Sequence, residues 1–401
     1  MSKVAILGYG VVGSGVYEIL KNTAEQVTKN AGKTVDVKYI LDIRDFDTHP
    51  EKHLFVKDFA TILADSEVDI VAEVIGGATV AYEFTKAALQ AGKNVVTSNK
   101  ELVATHGTEL LKIAQDKGVS YLFEASVGGG IPLIHPMHRC LTGNNISKIM
   151  GILNGTTNYI LTSMLKENKS FEEALKDAQQ KGYAEANPAA DVEGIDACRK
   201  IAILSSLAYG KSISCGDIHT EGITKITLTD AKYAEKAGYA VKLIGYSDNT
   251  EDKAEVWVGP MLIPNHMPLS KVDDVFNAGM VTGDNVGDVM FYGRGAGMLP
   301  TASAVVGDII DIVTGSAECC PITWTGPDMA VKDYGSTISK YYVRASAEDE
   351  EGAKSLFTEA NFIDLEAGEI AFITGKEIHR ELEEKLSKLS DVRTYIKVYE
   401  D

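Results

Sequence analysis

The first third of the chain alternates short, β-branched apolar runs with longer segments in which apolar residues recur at helical spacing. The runs predict strands over residues 4–7, 35–41, 70–74, 94–97 and 120–123. The segments between them predict helices over residues 13–29, 80–91 and 105–117, each ending near a glycine that can adopt a left-handed cap. Strands that alternate with helices form parallel sheets, so this region predicts an α/β fold with a doubly wound Rossmann nucleotide-binding domain.

A glycine-dense segment at residues 125–132 separates this region from the middle of the chain. We assign residues 1–135 to the nucleotide-binding domain, and residues 136–292, which mix strands and helices, to an α+β substrate-binding domain. A second glycine-rich turn opens a returning segment at about 293–335. Its apolar helix, over residues 301–313, is expected to complete the first domain.

The tail, residues 340–401, predicts a separate small unit. Strand 341–345, helix 351–359, strands 362–365 and 370–374, helix 378–389 and strand 394–399 come in this order along the chain. This βαββαβ order is that of a ferredoxin-like fold.

Composition narrows the class of protein. The 401 residues carry 57 acidic and 39 basic side chains, a formal net charge of −18 that repels nucleic acids and anionic membranes. No apolar run approaches a bilayer span and the first strand begins at once, so we expect a cytoplasmic protein without a signal peptide. Scattered cysteines without a C-x-x-C pair predict small buried side chains rather than disulfides or a zinc site. They are Cys140, Cys198, Cys215, Cys319 and Cys320.

The first predicted strand runs into a glycine loop made of Gly8, Tyr9, Gly10, Val11, Val12 and Gly13. In this G-x-G-x-x-G pattern the first glycine permits a tight turn, the second lets backbone amides approach a pyrophosphate, and the third lets the helix pack close to the sheet. Its place between the first strand and the first helix favours a dinucleotide site over a turn kept for packing alone.

The end of the second predicted strand offers two answers to which dinucleotide is bound. Asp42 can accept hydrogen bonds from the ribose hydroxyls of NAD, whereas Arg44 can bind the 2′-phosphate of NADP. The two residues also fit a simple ion pair. Lys100 follows Ser98 and Asn99 at the end of the fourth predicted strand, where it either contacts a ligand or is a solvated charge.

The densest polar cluster lies between Gly182 and Lys200. Asp196 and Lys200 are four residues apart on one helix and therefore share a face, and a loop with Glu185 and Asp191 leads into the same helix. Carboxylates beside a lysine suit a zwitterionic amino-acid substrate and proton transfer at a carbonyl. The alternative is an exposed salt bridge. The turn at residues 154–158 likewise predicts either a donor-rich pocket floor or a capped helix start.

Taken together, these segments resemble the homoserine dehydrogenase family. The segments on which the resemblance rests occur in the same order as in the family, over roughly the first 335 residues. They are residues 8–13, 98–100, 124–132, 154–161, 182–200, 293–297 and 300–302. The resemblance implies reversible, NAD(P)H-dependent reduction of L-aspartate 4-semialdehyde to L-homoserine, a step toward threonine, methionine and isoleucine.

Site residues are carried over by position. The resemblance implies that Lys200 donates the proton to the aldehyde oxygen and that Lys100 is the second lysine in the cleft, near nicotinamide and substrate. It implies that Glu185 and Asp196 hold the substrate and that Asp191 orders the polar network around it.

The resemblance also implies the remaining ligand contacts. Gly182, Gly295 and Gly297 would close on the cofactor, and Arg44 favours NADP with NAD tolerated. A monovalent cation, expected to be Na⁺, would bind mainly through peptide carbonyls at Glu124, Val127, Gly129 and Ile131.

The same resemblance extends to assembly and regulation. It implies a homodimer that pairs through its middle domains, with the tail able to build a homotetramer. The tail resembles an ACT domain, with residues 349–352 at the turn where such domains bind amino acids, which implies inhibition by threonine. The alternative for the tail is a packing or oligomerisation module.

Two other functions compete with this one. A related dehydrogenase acting on a different amino-acid-derived aldehyde or ketone would keep the glycine loop without needing the pattern from Glu185 to Lys200. A non-catalytic amino-acid sensor would use the glycine loop and the tail for ligand binding, and would not need Lys100 or Lys200.

Overall fold

The structure is a computed structural model that describes residues 1–250, 253–319, 321–324, 328–363 and 368–400. Cys320, and Leu365 of a predicted tail strand, lie outside the described residues. The strands are β1 Ser2–Leu7, β2 Val35–Leu41, β3 Phe55–Val56, β4 Val68–Glu73, β5 Asn94–Thr97, β6 Tyr121–Leu122, β7 Ile146–Ile152, β8 His219–Thr220, β9 Tyr239–Thr250, β10 Lys253–Pro264, β11 Phe276–Gly283, β12 Gly287–Arg294, β13 Ile338–Ser346, β14 Asn361–Ile363, β15 Glu369–Ile373, β16 Glu377–Ile378 and β17 Val392–Val398. The helices are α1 Val11–Asn22, α2 Ala24–Ala31, α3 Phe59–Ala64, α4 Thr79–Gln90, α5 Lys100–Lys117, α6 Gly155–Glu167, α7 Phe171–Gln180, α8 Ala189–Val192, α9 Ile195–Tyr209, α10 Leu228–Lys236, α11 Met298–Val313, α12 Ser316–Cys319, α13 Glu350–Leu356 and α14 His379–Leu386.

Strands β1 to β6 form a parallel sheet in the order β3-β2-β1-β4-β5-β6. Val4 and Ile6 of β1 are buried with α1 and α11 on one face, whereas Ala5 and Leu7 are buried with α4 and α5 on the other. Burial on both faces explains why the strands are continuous apolar runs. The predicted Rossmann-like sheet is confirmed, and the short strand β3 adds a sixth member to the five that the pattern predicted.

The predicted single helix over residues 13–29 is wrong, because the chain forms α1 and α2 with a break at Thr23. The Thr23 hydroxyl donates to the Ile19 carbonyl at 2.7 Å, and the Thr23 backbone leaves the helical region. Threonine competes for backbone hydrogen bonds in this way, which is why it often bends or ends a helix.

Helix α11 returns from the end of the second sheet to the first one. Val305 and Ile309 are buried in the cluster that contains β1 and α1, and Ala302 lies against Gly15 of α1. This contact carries the turn before α11 to the carboxyl edge of the parallel sheet.

The second sheet contains β12-β11-β7-β9-β10-β17-β13-β15-β14 in that order, with β8 and β16 attached beside it. Helices α6 and α9 pack on one face, where Ile201 of α9 lies close to Gly245 of β9. Strand β17 pairs in parallel with β10, so the tail extends the middle sheet instead of forming a detached unit.

Within the described residues, no helix is both long enough and apolar enough to cross a membrane. Cys198 is buried, as the composition predicted. Cys140 and Cys319 are exposed, so the expectation of buried side chains is wrong for these two.

Candidate active site

A cavity of about 560 Å³ opens where the start of α5 meets the starts of α6 and α9. Many of the predicted site residues line it, namely Lys100, Gly182, Glu185, Asp191, Asp196, Lys200, Gly295 and Gly297. The glycine loop, Arg44 and the predicted cation loop are not among the lining residues. The fold therefore gathers in one cavity the side chains predicted to meet the substrate and three of the glycines predicted to contact the cofactor.

Asp196 and Lys200 occupy successive turns of α9 and are buried side by side. Their side chains are only 4% and 9% exposed, so the alternative of an exposed salt bridge does not hold. The Lys200 ammonium donates to Asp196 Oδ2 at 2.7 Å and to the Leu153 carbonyl at 2.7 Å. Two of the three ammonium N–H groups are thus committed within the protein, and the third is available to the cavity.

Lys100 approaches the same carboxylate from the other side of the cleft. It is the first residue of α5, and its ammonium forms an ion pair with Asp196 Oδ1. Asn99 fixes the start of this helix, because its side-chain oxygen accepts a hydrogen bond from the Leu102 amide at 3.0 Å. The Asp196 carboxylate of α9, which packs on the second sheet, is therefore also bound by a lysine of α5, which packs on the first sheet.

The shared carboxylate decides the ionisation of the cluster. Burial raises the pKa of Asp196, but the nearby charges of Lys200 and Lys100 outweigh burial and hold that pKa well below its usual range. Burial lowers the pKa of Lys200, and the Asp196 charge opposes that effect. Lys200 is thus a cation that releases its proton more readily than a surface lysine does.

Asn154 joins Asp196 to the next carboxylate. Its amide nitrogen donates to Asp196 Oδ2 at 2.9 Å and to Asp191 Oδ1 at 2.7 Å, while its oxygen caps α6 at the Thr157 amide. The turn at residue 154 is therefore both a helix cap and part of the pocket floor. Burial raises the pKa of Asp191, and the charge of Asp196 adds to this effect. Glu185 is exposed at the rim of the cavity.

The glycine loop has the geometry of a phosphate site. A Cβ on Gly13 would lie 1.9 Å from the Gly8 carbonyl oxygen, so only glycine permits this turn. At Gly10, by contrast, no described atom lies within 4 Å of an added Cβ. Gly10 caps α1 without any side-chain hydrogen bond, which leaves the first amides of that helix open to an anion. These residues fit a dinucleotide pyrophosphate.

Asp42 and Arg44 form an ion pair at the end of β2. Asp42 accepts hydrogen bonds from the Arg44 amide and guanidinium and from the Tyr9 amide, all at 2.8–3.0 Å. Its carboxylate is therefore saturated by the protein. The Arg44 side chain is 58% exposed, and its guanidinium also donates to the Tyr9 carbonyl at 2.8 Å.

The predicted cation loop surrounds the buried carboxylate of Glu124. The two oxygens of that carboxylate accept hydrogen bonds from the amides of Leu133, Ile134 and His135. A Cβ on Gly128 would lie 2.9 Å from the Ile131 carbonyl oxygen, so the loop forms a tight cradle lined by backbone. Among the described residues, no group of three or more His, Cys, Asp or Glu side chains is placed to hold a metal ion.

The sequence reasoning missed three parts of the site. The Leu153 carbonyl carries no sequence signal at all. Arg199 pairs with Glu101 at 3.2 Å, a second ionic contact between α9 and α5 beside the first. Glu73 is fully buried at the end of β4, and an acid at the end of a β-branched strand was a signal that could have been used.

Comparison with known proteins identifies relatives along the whole chain. A family model described as "Homoserine dehydrogenase, NAD binding domain" matches residues 8–124, and one described as "Homoserine dehydrogenase" matches residues 132–310. The homoserine dehydrogenase of Bacillus subtilis is 40% identical over 369 residues, which are 89% of this chain and 84% of that protein. A crystal structure of a homoserine dehydrogenase from Thiobacillus denitrificans has a TM-score of 0.92 at 35% identity and covers 100% of this chain and 98% of that chain. A hyperthermophilic archaeal homoserine dehydrogenase mutant in complex with NADPH has a TM-score of 0.67 at 28% identity, over 78% of this chain and 98% of that one.

Proposed function

The chain belongs to the homoserine dehydrogenase family, and we propose that Lys200, Lys100 and Asp196 form the proton-transfer centre of its reaction. That reaction is the reversible, NAD(P)H-dependent reduction of L-aspartate 4-semialdehyde to L-homoserine in threonine, methionine and isoleucine biosynthesis. The observation that carries the proposal is the buried Lys200 ammonium, which lines the cavity with one N–H uncommitted.

Reduction of an aldehyde develops negative charge on its oxygen. The nicotinamide, when bound, supplies the hydride that the aldehyde carbon receives. Lys200 donates its proton to the oxygen, and the Lys100 ammonium adds positive charge to the same end of the cavity. In the reverse direction Lys200 accepts the proton of the homoserine hydroxyl. Asp196 contacts both lysines, so it fixes their positions and acts on the substrate through them.

The substrate's ammonium group needs a carboxylate that is free to receive it. Glu185 lines the cavity and has an exposed side chain, so we assign it to this ammonium. Asp191 is linked to Asp196 through Asn154 and orders the polar wall between them. Gly182, Gly295 and Gly297 line the cavity, and we assign their backbone to the cofactor, because glycine presents no side chain of its own there.

We propose NADP as the preferred cofactor, with NAD tolerated. The amides at the start of α1, from Gly10 to Val12, would hold the pyrophosphate, together with the other loop residues Gly8, Tyr9 and Gly13. The saturated Asp42 has no acceptor left for a ribose hydroxyl, whereas the exposed Arg44 guanidinium keeps donors for a 2′-phosphate.

A monovalent cation, Na⁺, is proposed at the loop of Glu124, Val127, Gly129 and Ile131. Three backbone amides already donate hydrogen bonds to the Glu124 carboxylate. The ligands that remain for an ion in this loop are therefore mainly carbonyl oxygens, which hard cations bind. The ion would hold this loop against the turn before α11, where the Gly130 amide already donates to the Arg294 carbonyl at 3.1 Å. A higher melting temperature in NaCl than in choline chloride is expected.

The tail is proposed to be an ACT-like regulatory domain that binds threonine. Apart from the two-residue strand β16, its elements follow the order βαββαβ, and its main strands lie in the order β17-β13-β15-β14. At the turn of residues 349–352, the Asp349 carboxylate accepts hydrogen bonds from the amides of Ser390 and Asp391. We expect millimolar threonine to inhibit; unchanged activity would leave the tail as a packing or oligomerisation module. We also propose that the protein is cytoplasmic and forms a homodimer or a homotetramer.

The test of the catalytic assignment uses purified protein with L-homoserine and NADP⁺ at alkaline pH, followed by nicotinamide absorbance. We expect Lys200→Ala to lower kcat by about 10²- to 10⁴-fold and to leave NADPH binding nearly intact. Lys112→Ala is the matched control, because Lys112 is an exposed lysine that also has an i,i+4 partner, Asp116. Equal losses of cofactor affinity and turnover would count against the assignment.

A further inference from the structure

Glu73 is a buried acid that the proposed reaction does not use. It ends β4, directly beside Thr97 of β5 and Leu7 of β1 in the parallel ladder. Its side chain is fully buried, and it forms no ion pair with any residue that the structure describes. A buried carboxylate without a cationic partner lowers the stability of the fold, so a contribution to stability does not explain this residue. Its hydrogen bonds indicate a different role.

The two carboxylate oxygens of Glu73 serve two different loops. Oε1 accepts a hydrogen bond from the Ile75 amide at 2.7 Å, in the segment that comes after β4. Oε2 accepts one from the Thr97 hydroxyl at 2.6 Å, at the end of β5. Glu73 therefore sits at the root of two adjacent segments at the carboxyl edge of the sheet, which is where doubly wound folds bind their ligands.

These contacts continue to the start of α5. The Thr97 oxygen accepts a hydrogen bond from the Asn99 amide at 2.9 Å. The Asn99 side chain caps α5 and donates to the carbonyls of Ile75 and Gly77 at 3.1 and 2.7 Å. The first residue of the helix that it caps is Lys100, which reaches across the cleft to Asp196.

We propose that Glu73 is a positioning residue for the reaction, which aims Lys100 through Thr97 and Asn99 and holds the segment of residues 75–77 beside it. The proposal rests on the role assigned to Lys100 in the proposed function. Each group in the path has its hydrogen bond within the path, so removing one link releases the next. A displacement of about 1 Å in such a group is enough to slow turnover by up to 10²-fold.

The test compares two buried threonines. Thr97→Val removes a hydroxyl from the path, whereas Thr85→Val removes a buried hydroxyl on α4 that has no hydrogen-bond partner among the described residues. We expect Thr97→Val to lower kcat roughly tenfold or more with the Kd for NADPH changed less than threefold. Thr85→Val should stay within twofold of the parent. Circular dichroism melts are the check that both proteins are folded at the assay temperature.

Two Glu73 variants separate positioning from simple packing. Gln keeps the shape, one acceptor for the Ile75 amide and a polar contact to Thr97, so Glu73→Gln should retain at least a third of kcat. Leu fills the space without these bonds, and Glu73→Leu should lose kcat as Thr97→Val does. If Leu and Val variants both keep kcat within twofold, Glu73 is not a positioning residue.

A double variant distinguishes failure of this inference from failure of the proposed function. In a Lys100→Ala background, Thr97→Val should have no further effect on kcat, because both changes act on the same group. Lys100→Ala with normal turnover would overturn the role of Lys100 itself and hence this path. A slow Lys100→Ala enzyme that Thr97→Val slows a further tenfold would leave the proposed function standing and overturn the path from Glu73.

Discussion

The two sides of the cleft each bury a carboxylate, and they treat its charge in opposite ways. Asp196, on the side of the second sheet, lies between two lysine ammonium groups and keeps a pKa well below its usual range. Glu73, on the side of the parallel sheet, has a hydroxyl and a backbone amide as its hydrogen-bond partners, and burial raises its pKa to about 7. Asp196 therefore stays ionised near neutral pH, whereas Glu73 can take up a proton there.

This difference separates two ways of using an acid. At Asp196 the negative charge itself is needed, because it holds two cations where an alkoxide develops. At Glu73 the two hydrogen bonds position groups at the cleft, and the negative charge lowers the stability of the fold because it is buried. Substitutions that remove charge but keep shape should therefore damage one side of the cleft and stabilise the other.

The largest effect is expected at Asp196. Asp196→Asn should lower the free energy of unfolding by about 3–5 kcal/mol, because it leaves the buried Lys200 ammonium without an anionic partner. A lowered pKa stabilises the fold fully above the unfolded value of 3.8 and loses this effect only as pH falls through the folded pKa. The loss should thus be similar at pH 7.5 and pH 5 in urea titrations.

The control for this prediction is Asp116→Asn, which neutralises an exposed carboxylate that also pairs with a lysine four residues away. Exposed pairs of this kind contribute about 0.5 kcal/mol or less. If both substitutions cost the same, the Asp196 cluster has no special electrostatic role in the fold.

The opposite sign is expected at Glu73. Its pKa rises from 4.5 in the unfolded chain to about 7, so the fold is most favoured below pH 4.5 and loses stability as pH rises through 7. Glu73→Gln should therefore add about 3 kcal/mol to the free energy of unfolding at pH 8.5 and almost nothing at pH 4.5.

Glu384→Gln provides the reference for this measurement, since it makes the same substitution at an exposed glutamate on α14. If Glu73→Gln lowers the free energy of unfolding equally at both pH values, the buried charge of Glu73 does not destabilise the fold and this prediction is wrong.

The contrast also explains what the sequence could predict. The glycine loop was recognisable because its turn requires glycine at Gly13, where any Cβ would meet the Gly8 carbonyl oxygen. Asp196 and Lys200 were recognisable because helical spacing puts them on one face. Backbone constraints and local spacing leave a direct trace in the order of residues.

Contacts between distant segments left no such trace. The sequence did not show that Lys100 of α5 would share the Asp196 carboxylate, or that the Leu153 carbonyl would take a hydrogen bond of Lys200. It did not show whether Asp196 and Lys200 would be exposed or buried, because that depends on how α9 packs against the second sheet. The pairing of β17 with β10 was also unforeseen, since the pattern of the tail predicted a separate unit.

The smallest effect concerns a third carboxylate, Asp42, which resembles Asp196 in having a cation but lies at the surface of the cofactor side. Three of the five guanidinium N–H groups of Arg44 are used on Asp42 and the Tyr9 carbonyl, which leaves two for a phosphate. Arg44→Ala should raise the KM for NADPH about tenfold, which corresponds to about 1.4 kcal/mol. The same change frees Asp42 to accept hydrogen bonds from ribose hydroxyls, so the KM for NADH should stay within threefold or fall.

The control is Arg393→Ala, which removes an exposed arginine paired with Asp391 in the tail and should alter neither KM value. Equal changes in both KM values would mean that Arg44 serves only as the ion-pair partner of Asp42, and that the cofactor side, unlike the substrate side, does not use its cation on a ligand.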